Sequence, residues 1–286
     1  MQELTGRVAV VTGGASGIGL ALAHAFGAEG MKVVIADIEP DALERAAAEL
    51  RGAGLEVRAV VCDVSDGEAV DALAAAAVDA FGAVHVVCNN AGVSGGGLLQ
   101  DLTTKDWEWI LGVNLWGVIH GVRAFLPLLV AQGEGHIVNT GSVLGLFSAP
   151  FTAPYSVSKY GVVALSESLF HELAMTSPEV GVSVLCPGWV DTNLHSADRN
   201  RPTELRDDTD GATGTDDPPA VGEGIGEVLK GVMAEGMAPA EVAANVVAAV
   251  KDRQFYVITH ESSNDAIAGR TEAILERRDP GLYLPT

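Results

Sequence analysis

Three side chains near the middle of the chain could carry out acid–base chemistry together. Tyr155 and Lys159 are four residues apart, and Ser142 lies thirteen residues before the tyrosine. Residues four apart in a helix lie on the same face, which would place an ammonium group beside the phenol. A free phenol has a pKa of about 10, and a nearby positive charge lowers this pKa. The trio therefore predicts Tyr155 as a general acid or base, with Ser142 holding the oxygen that gains or loses the proton.

A glycine-rich turn near the start of the chain predicts a dinucleotide-phosphate site. Residues 7–11 have the pattern of a short buried strand, residues 12–19 have the sequence TGGASGIG, and residues 20–26 form an apolar helical stretch. The glycines allow a tight turn with close backbone approach, and the helix N-terminus offers N–H groups to a pyrophosphate. A Tyr–Lys pair alone occurs often on solvated helix faces, so this turn is what favours a catalytic interpretation.

Taken together, the motifs resemble the short-chain dehydrogenase/reductase family over roughly residues 5–260. The resemblance implies an NAD(H)-dependent oxidoreductase that interconverts a secondary alcohol and a ketone. The matching motifs are TGGASGIG at 12–19, Asp63-Val64, NNAG at 89–92, Asn114, Ser142, YSVSK at 155–159 and Pro187-Gly188.

Alternating short apolar runs and helical stretches predict an α/β fold: one Rossmann-like, doubly wound parallel sheet of about seven strands with helices on both faces. The predicted strands are 7–11, 32–36, 56–61, 84–88, 135–140, 181–186 and 255–258, and the predicted helices are 18–29, 40–50, 67–81, 105–131, 154–176 and 239–251. We expect one catalytic domain over residues 1–286. The polar, Asp- and Gly-rich composition within 191–238 predicts a substrate lid there or, alternatively, a surface insertion.

Asp37 ends the second predicted strand, eighteen residues after Gly19. A carboxylate at this place can accept hydrogen bonds from an adenosine ribose and would repel a 2′-phosphate. Neither Gly14 nor Ile38 is basic, so no obvious cation awaits such a phosphate. In the family that the motifs resemble, this pattern implies NAD(H) as the cofactor, although Asp37 could instead cap the next helix.

The resemblance implies roles for further residues. Asp63 and Val64 would border the adenine, and residues 90–92 would lie beneath it, although Asn89 and Asn90 could instead satisfy local backbone groups. Lys159 would also bind the nicotinamide ribose, and Asn114 would hold a water that leads protons to solvent. No metal is expected. The predicted catalytic residues are Asn114, Ser142, Tyr155 and Lys159, and the predicted cofactor-binding residues are Gly13, Ser16, Gly17, Ile18, Gly19, Asp37, Asp63, Val64, Asn90, Ala91, Gly92, Tyr155, Lys159, Pro187, Gly188, Val190 and Thr192.

Apolar residues near Ser142 and the Pro187-Gly188 turn predict a bulky hydrophobic or aromatic substrate. The candidate wall residues are Leu144, Leu146, Phe147, Trp189 and Leu194, whereas Trp107, Trp109 and Trp116 are expected in a core or a subunit interface. Cys186 stands where the family often has asparagine, a change that a pocket shaped by the backbone turn should tolerate.

Composition narrows the remaining possibilities. The net charge of −21 disfavours nucleic acid and anionic membranes as partners, and we expect no apolar run near the roughly 18 residues that span a bilayer. Three cysteines without CxxC spacing and no room for a leader before the first strand predict a cytoplasmic protein.

By resemblance we expect a homotetramer or homodimer paired through helices 105–131 and 154–176. The alternatives are a non-catalytic NAD(H)-binding regulatory protein and an NADP-dependent carbonyl reductase.

Overall fold

The computed structural model describes residues 1–206 and 236–283. Its centre is a sheet of seven strands, all parallel, in the order β3-β2-β1-β4-β5-β6-β7. The strands are β1 (Val8–Thr12), β2 (Lys32–Asp37), β3 (Val57–Val61), β4 (Val86–Asn89), β5 (Gly135–Thr140), β6 (Val180–Cys186) and β7 (Tyr256–Ile258). The strand order reverses between β1 and β4, and ligands bind at such switch points beyond the carboxyl ends of the strands.

Helices cover both faces of the sheet. They are α1 (Gly17–Ala28), α2 (Pro40–Gly52), α3 (Gly67–Phe81), α4 (Thr104–Leu111), α5 (Gly117–Gln132), α6 (Ala153–Thr176), α7 (Pro239–Asp252) and α8 (Asn264–Glu276). Apolar side chains of α3, α5 and α6 form one core with the sheet, including Phe125 and Leu129. Those of α1, α2 and α7 cover the opposite face, including Leu22 and Phe26. The predicted fold class is therefore confirmed.

The strand predictions agree with the structure to within two residues at each end. This accuracy follows from burial, because β1, β4, β5 and β6 are buried on both faces and are mostly apolar in sequence, although buried polar residues such as His136, Asn139 and Ser183 interrupt β5 and β6. Two features were not predicted. The helix predicted at 105–131 has a π-helical turn, Gly112–Trp116, between α4 and α5, and the C-terminal helix α8 follows β7.

The expectation that no apolar run approaches the length that spans a bilayer was wrong. Within the described residues, the helix Thr104–Gln132 is long and apolar enough to cross a membrane. In its apolar 18-residue stretch, 33% is buried inside the protein. The same helix packs Phe125 and Leu129 against the sheet and buries Asn114 completely. Its apolar composition thus serves a core helix of an α/β fold.

The predicted lid at 191–238 is only partly within the described residues. Residues 193–206 form two short 3₁₀ helices, Asn193–Asn200 and Thr203–Leu205, and Met237 pairs with Val190. Residues 207–235 lie outside the described part of the chain.

A close approach of α5 to β4 gives a test of this packing. A Cβ atom at Gly121 would lie 1.9 Å from Oδ1 of Asn89, whose Nδ2 donates to Asn139 in the buried core. We expect Gly121→Ala to lower the free energy of unfolding by about 2–3 kcal/mol, because the helix must move away from the sheet. Urea titration followed by circular dichroism measures this change.

Gly112→Ala is the matched control. A Cβ atom there would meet Ser65 at 3.7 Å, an ordinary contact, and the backbone is right-handed helical. Alanine is the better helix former, so this variant should be neutral or slightly stabilised. Equal losses in the two variants would contradict the packing argument.

Candidate active site

One cavity of about 460 Å³ lies at the carboxyl ends of the strands, beside the switch point between β1 and β4. Its volume is within the usual range for small-molecule sites. Every predicted site residue except Asn114 lines it: Gly13, Ser16, Gly17, Ile18, Gly19, Asp37, Asp63, Val64, Asn90, Ala91, Gly92, Ser142, Tyr155, Lys159, Pro187, Gly188, Val190 and Thr192.

The glycine-rich turn has the shape that a phosphate loop needs. Gly13 and Gly17 have positive φ angles of 64° and 51°. A Cβ atom at Gly19 would lie 2.0 Å from the carbonyl oxygen of Gly13, so the turn closes this tightly only with glycine. The side chain of Ser16, the residue before α1, accepts no hydrogen bond from the first turn of this helix within the described part of the chain. The N–H donors of the helix N-terminus are therefore left beside the cavity. This arrangement fits a dinucleotide pyrophosphate.

A chain of hydrogen bonds joins this turn to the middle of the site. Oγ1 of Thr12 accepts from the backbone N–H of Asn90 at 2.9 Å and of Ala91 at 3.1 Å. Asn90 donates through Nδ2 to the carbonyl oxygen of Thr12 at 3.0 Å, and its Oδ1 accepts from Thr140 at 3.4 Å. The carbonyl oxygen of Thr140 accepts from Nζ of Lys159 at 2.8 Å. Asn90 therefore satisfies local backbone groups, as one of the two interpretations predicts, and it also lines the cavity; its place beneath the adenine stays a prediction.

Tyr155 and Lys159 lie one helical turn apart near the start of α6, as their spacing predicts, with Nζ 5.5 Å from the centre of the phenol ring. Ser142 is buried at the end of β5, and its Oγ accepts from the backbone N–H of Leu144 at 3.1 Å. The three side chains thus share one wall of the cavity.

Burial shifts the pKa values of Tyr155 and Lys159. It raises the pKa of Tyr155, although the neighbouring Ser142 hydroxyl acts in the opposite direction. It also lowers the pKa of Lys159 to about 8. The expectation of a phenol pKa below its usual value was wrong for this structure, because loss of hydration raises that pKa by more than the Ser142 hydrogen bond lowers it.

Asn114 lies behind the cavity, fully buried within the π-helical turn. Its Oδ1 accepts from the backbone N–H of Val93 at 2.8 Å, and its Nδ2 donates to the carbonyl oxygen of Val93 at 2.9 Å and to Ser158 at 3.2 Å. π-helical turns often occur at functional sites. The side chain fixes the segment after β4, next to Gly92 and Nζ of Lys159. Its role in holding a water stays a prediction.

Asp37 makes local hydrogen bonds and also faces the cavity. Its Oδ2 accepts from the N–H of Ala15 at 3.0 Å, and its Oδ1 accepts from the N–H of Glu39 at 3.1 Å. Burial raises the pKa of this carboxyl group, while these two backbone hydrogen bonds act in the opposite direction. The carboxylate thus stabilises both the glycine-rich turn and the start of α2 beside the cavity.

The candidate substrate wall differs in part from the prediction. Leu144, Trp189 and Leu194 line the cavity, whereas Leu146 packs against the core and Phe147 is 1% exposed, in contact with the cluster that contains Tyr283. Proximity to Ser142 in the sequence could not show that Leu146 and Phe147 point into the core and away from the cavity. Cys186 is fully buried behind the cavity, and burial raises the pKa of its thiol to about 12.

Several cavity residues were missed by the sequence analysis. Trp109 is buried and also lines the cavity, whereas Trp116 is 53% exposed. Ser94, Phe151, Glu39, Arg199 and Asn200 also line the cavity. Among residues 1–206 and 236–283, no three His, Cys, Asp or Glu side chains lie close enough together to hold a metal ion.

Phe151 has the backbone conformation least expected of a bulky residue. Its φ angle is 64°, in the left-handed region. Its carbonyl oxygen accepts from the N–H of Gly97 at 2.9 Å, and a Cβ atom at Gly96 would lie 1.9 Å from the same oxygen. Strained residues of this kind concentrate at functional sites. The contact holds the aromatic ring at the cavity, four residues before Tyr155.

The chain is similar to known proteins over its length. A family model described as short chain dehydrogenase matches residues 7–203. A crystal structure of a short chain dehydrogenase/reductase from Burkholderia phymatum in complex with NAD has 41% identity, covers 100% of both chains and has a TM-score of 0.94. The C alpha-dehydrogenase of Sphingobium sp. strain SYK-6 has 34% identity over 98% of this chain and 89% of its own. A crystal structure of actinorhodin polyketide ketoreductase with NADPH has 32% identity, covers 91% of this chain and 97% of its own, and has a TM-score of 0.74.

The buried lysine predicts a conflict between stability and activity. A free lysine titrates near pH 10.4, so between about pH 8 and 10.4 the unfolded chain binds the extra proton and stability rises with pH. Below pH 8 the fold carries the cost of a buried ammonium. Lys159→Met should therefore raise the free energy of unfolding at pH 7 by about 1–2 kcal/mol, after the loss of the hydrogen bond to Thr140.

Urea unfolding at pH 7 and at pH 9.5 measures this effect, and the gain should shrink at the higher pH. Lys251, which is partly exposed and paired with Glu29 at 2.6 Å, provides the control. Lys251→Met should not stabilise the fold. A less stable Lys159→Met variant at pH 7 would contradict the interpretation of Lys159 as a destabilising buried charge.

The strain at Phe151 predicts an unusual order of stability for two small replacements. Phe151→Gly should be more stable than Phe151→Ala by about 1 kcal/mol, because only glycine adopts a positive φ without steric cost. At Glu172, which is exposed within α6, the order should reverse, with alanine more stable than glycine. Thermal unfolding of the four variants tests this, and a more stable alanine at both positions would remove the argument for strain.

Proposed function

Because the chain belongs to the short-chain dehydrogenase family, we propose that it is an NAD(H)-dependent oxidoreductase that interconverts a secondary alcohol and a ketone. The observation that carries this proposal is the meeting of Ser142, Tyr155 and Lys159 with the N-terminus of α1 in one cavity. The first three can move a proton at a carbon-bound oxygen, and the helix end can bind a dinucleotide. The similarity to named dehydrogenases and reductases supports the reaction class.

The proposed mechanism divides the work between cofactor and protein. The bound nicotinamide would accept or give the hydride at the reacting carbon. Tyr155 would exchange a proton with the substrate oxygen, and Ser142 would donate a hydrogen bond to that oxygen. Lys159, whose ammonium is held by the Thr140 carbonyl, would favour the phenolate in the oxidative direction. Positioned acid–base groups of this kind contribute roughly 10²- to 10⁴-fold in rate.

The preference for NAD over NADP rests on Asp37. Its carboxylate is at the cavity beside Ile38, and a 2′-phosphate there would meet negative charge. The similar Burkholderia phymatum structure contains NAD, whereas the similar ketoreductase structure contains NADPH. The residues of this chain at the ribose position favour the first pattern.

The proposed substrate is bulky and hydrophobic or aromatic. Apolar side chains form the part of the cavity next to Tyr155: Trp109, Leu144, Phe151, Trp189 and Leu194. Aromatic groups in particular bury large apolar areas, and they would exclude water from the reacting oxygen.

We also propose a homodimer or homotetramer in the cytoplasm. The long helix leaves Trp116 and Val130 exposed, and α6 leaves Val157 exposed. Exposed apolar groups on neighbouring helices favour association between copies of a chain. The cysteines 62, 88 and 186 are buried and unpaired, which fits a reducing compartment.

The first experiment is a fluorescence titration with NADH and NADPH, followed by turnover of aryl and alicyclic secondary alcohols with NAD. We expect tighter binding of NADH and activity on a bulky member of the panel. Tyr155→Phe should lower kcat by at least about 10²-fold with NADH affinity nearly unchanged, because the proton route is lost but the ring remains. Tyr160→Phe is the control, since Tyr160 lies outside the cavity-lining set and packs under Arg270.

The outcomes separate the alternatives. Substantial turnover by Tyr155→Phe would remove this residue from the mechanism. Tighter binding of NADPH would favour a carbonyl reductase, and binding of NADH without turnover of any alcohol or ketone would favour a regulatory protein. No binding of either nucleotide would contradict the proposed function as a whole.

A further inference from the structure

Residues 193–206, which we call the arch, contribute several side chains to the wall of the cavity. The arch begins directly after Thr192 and contains the two 3₁₀ helices Asn193–Asn200 and Thr203–Leu205. Arg201 contacts Asp106 in α4, whereas the neighbouring Arg199 and Asn200 contact Glu39 before α2. These contacts differ in burial, which determines where the arch can open.

The contacts on the substrate side are buried. Nη1 of Arg201 lies 2.8 Å from Oδ1 of Asp106 in α4, with side chains only 8% and 19% exposed. The Arg201 guanidinium also stacks over the Trp109 ring at 5.4 Å. In addition, Oγ of Ser94 donates to the Leu194 carbonyl oxygen at 2.8 Å. Charged pairs shielded from water in this way resist opening.

The contact on the opposite side crosses to the end of β2. Oε1 of Glu39 accepts from Nε and Nη2 of Arg199 at 3.1 and 2.7 Å, and from Nδ2 of Asn200 at 2.8 Å. Hydrogen bonds from Asn200 and Arg199 lower the pKa of Glu39, so it is charged at neutral pH. Arg199 is held ready for this contact by Ser196, whose carbonyl oxygen and Oγ accept from it at 2.8 and 2.9 Å.

This contact lies above the half of the cavity that would hold the adenosine. Glu39 follows Asp37 by two residues, and all three partners of the contact line the cavity. We propose that Glu39, Arg199 and Asn200 are positioning residues that close the arch over a bound nicotinamide dinucleotide, so that their contact must open before the cofactor leaves. This inference rests on the proposed function, because it assumes that the cavity binds that cofactor.

We expect the arch to open at the Glu39–Arg199 contact, because this contact is more exposed than the one between Arg201 and Asp106. The Arg199 and Glu39 side chains are 40% and 32% exposed, so water and salt can compete for their charges. The arch then swings about its buried attachment at Asp106 and Trp109. Cofactor retention therefore depends on a pair of residues that do not take part in the chemistry.

The test measures the rate of NADH release by stopped-flow fluorescence, with excess NAD to prevent rebinding. Glu39→Gln and Arg199→Gln should each release NADH about 5- to 20-fold faster, because a charge-assisted contact is lost. The double variant should be no faster than the faster single variant, because both changes break the same contact. Glu44→Gln is the matched control, since Glu44 forms an exposed pair with Arg51 outside the cavity-lining set.

A second readout uses the protein without nucleotide. Hydrogen exchange of the amides in 193–200 should become faster in Glu39→Gln, while the amides of α4 keep their protection. Raising the salt concentration from about 0.05 to 0.5 M should speed NADH release from the wild type but have little effect on Glu39→Gln. Melting temperatures within a few degrees of the wild type would show that the variants remain folded.

The outcomes distinguish this inference from the proposed function. If the wild type fails to bind NADH in the equilibrium titration, both are overturned. If NADH binds but Glu39→Gln releases it at the wild-type rate, only the role of the arch is overturned. Additive effects of Glu39→Gln and Arg199→Gln on the logarithm of the rate would also overturn it, since they would mean that each side chain contacts the cofactor separately.

Discussion

The hydrogen-bonded chain Thr12–Asn90–Thr140–Lys159 connects the two halves of the site. It joins the carboxyl ends of β1, β4 and β5 to the first turns of α6 through both backbone and side-chain groups. Because parallel strands end at the same edge, residues 147 positions apart are brought into one network. The glycine-rich turn and the lysine therefore have a fixed separation before any ligand binds. Preorganisation of this kind is what acid–base chemistry next to a bound cofactor requires.

The same enclosure determines the protonation of the site. Loss of hydration opposes the charged form of both Tyr155 and Lys159, so it raises one pKa and lowers the other. The pKa of Tyr155 rises above its ordinary value while that of Lys159 falls to about 8, so the two values move apart and the phenol keeps its proton until a ligand changes the surroundings. A cavity open to water would leave both groups close to their free values. The fold thus accepts an unfavourable buried charge at the place where the proposed chemistry needs it.

The sequence could predict what depends on local pattern. Short, mostly apolar runs predicted the seven strands, and the glycine-rich turn and the Tyr155–Lys159 spacing predicted groups that the structure brings to one cavity. It could not predict contacts between distant segments. Glu39 and Arg199 are 160 residues apart, and neither lies in a motif. The strain at Phe151 depends on the approach of Gly96 from another loop, and the π-helical turn at Asn114 adds a residue to a helix whose apolar pattern continues on both sides.

The two sequence interpretations of Asp37, a local cap and a ribose ligand, are compatible in the structure. A carboxylate has about four acceptor positions, and the N–H groups of Ala15 and Glu39 occupy two of them. These bonds hold the oxygens in place beside the cavity, which leaves the remaining acceptor positions for a ligand. They also favour the charged form against the effect of burial. A cap that favours the charged form and orients the carboxylate would therefore make it a better partner for a ribose, because the side chain is already ordered.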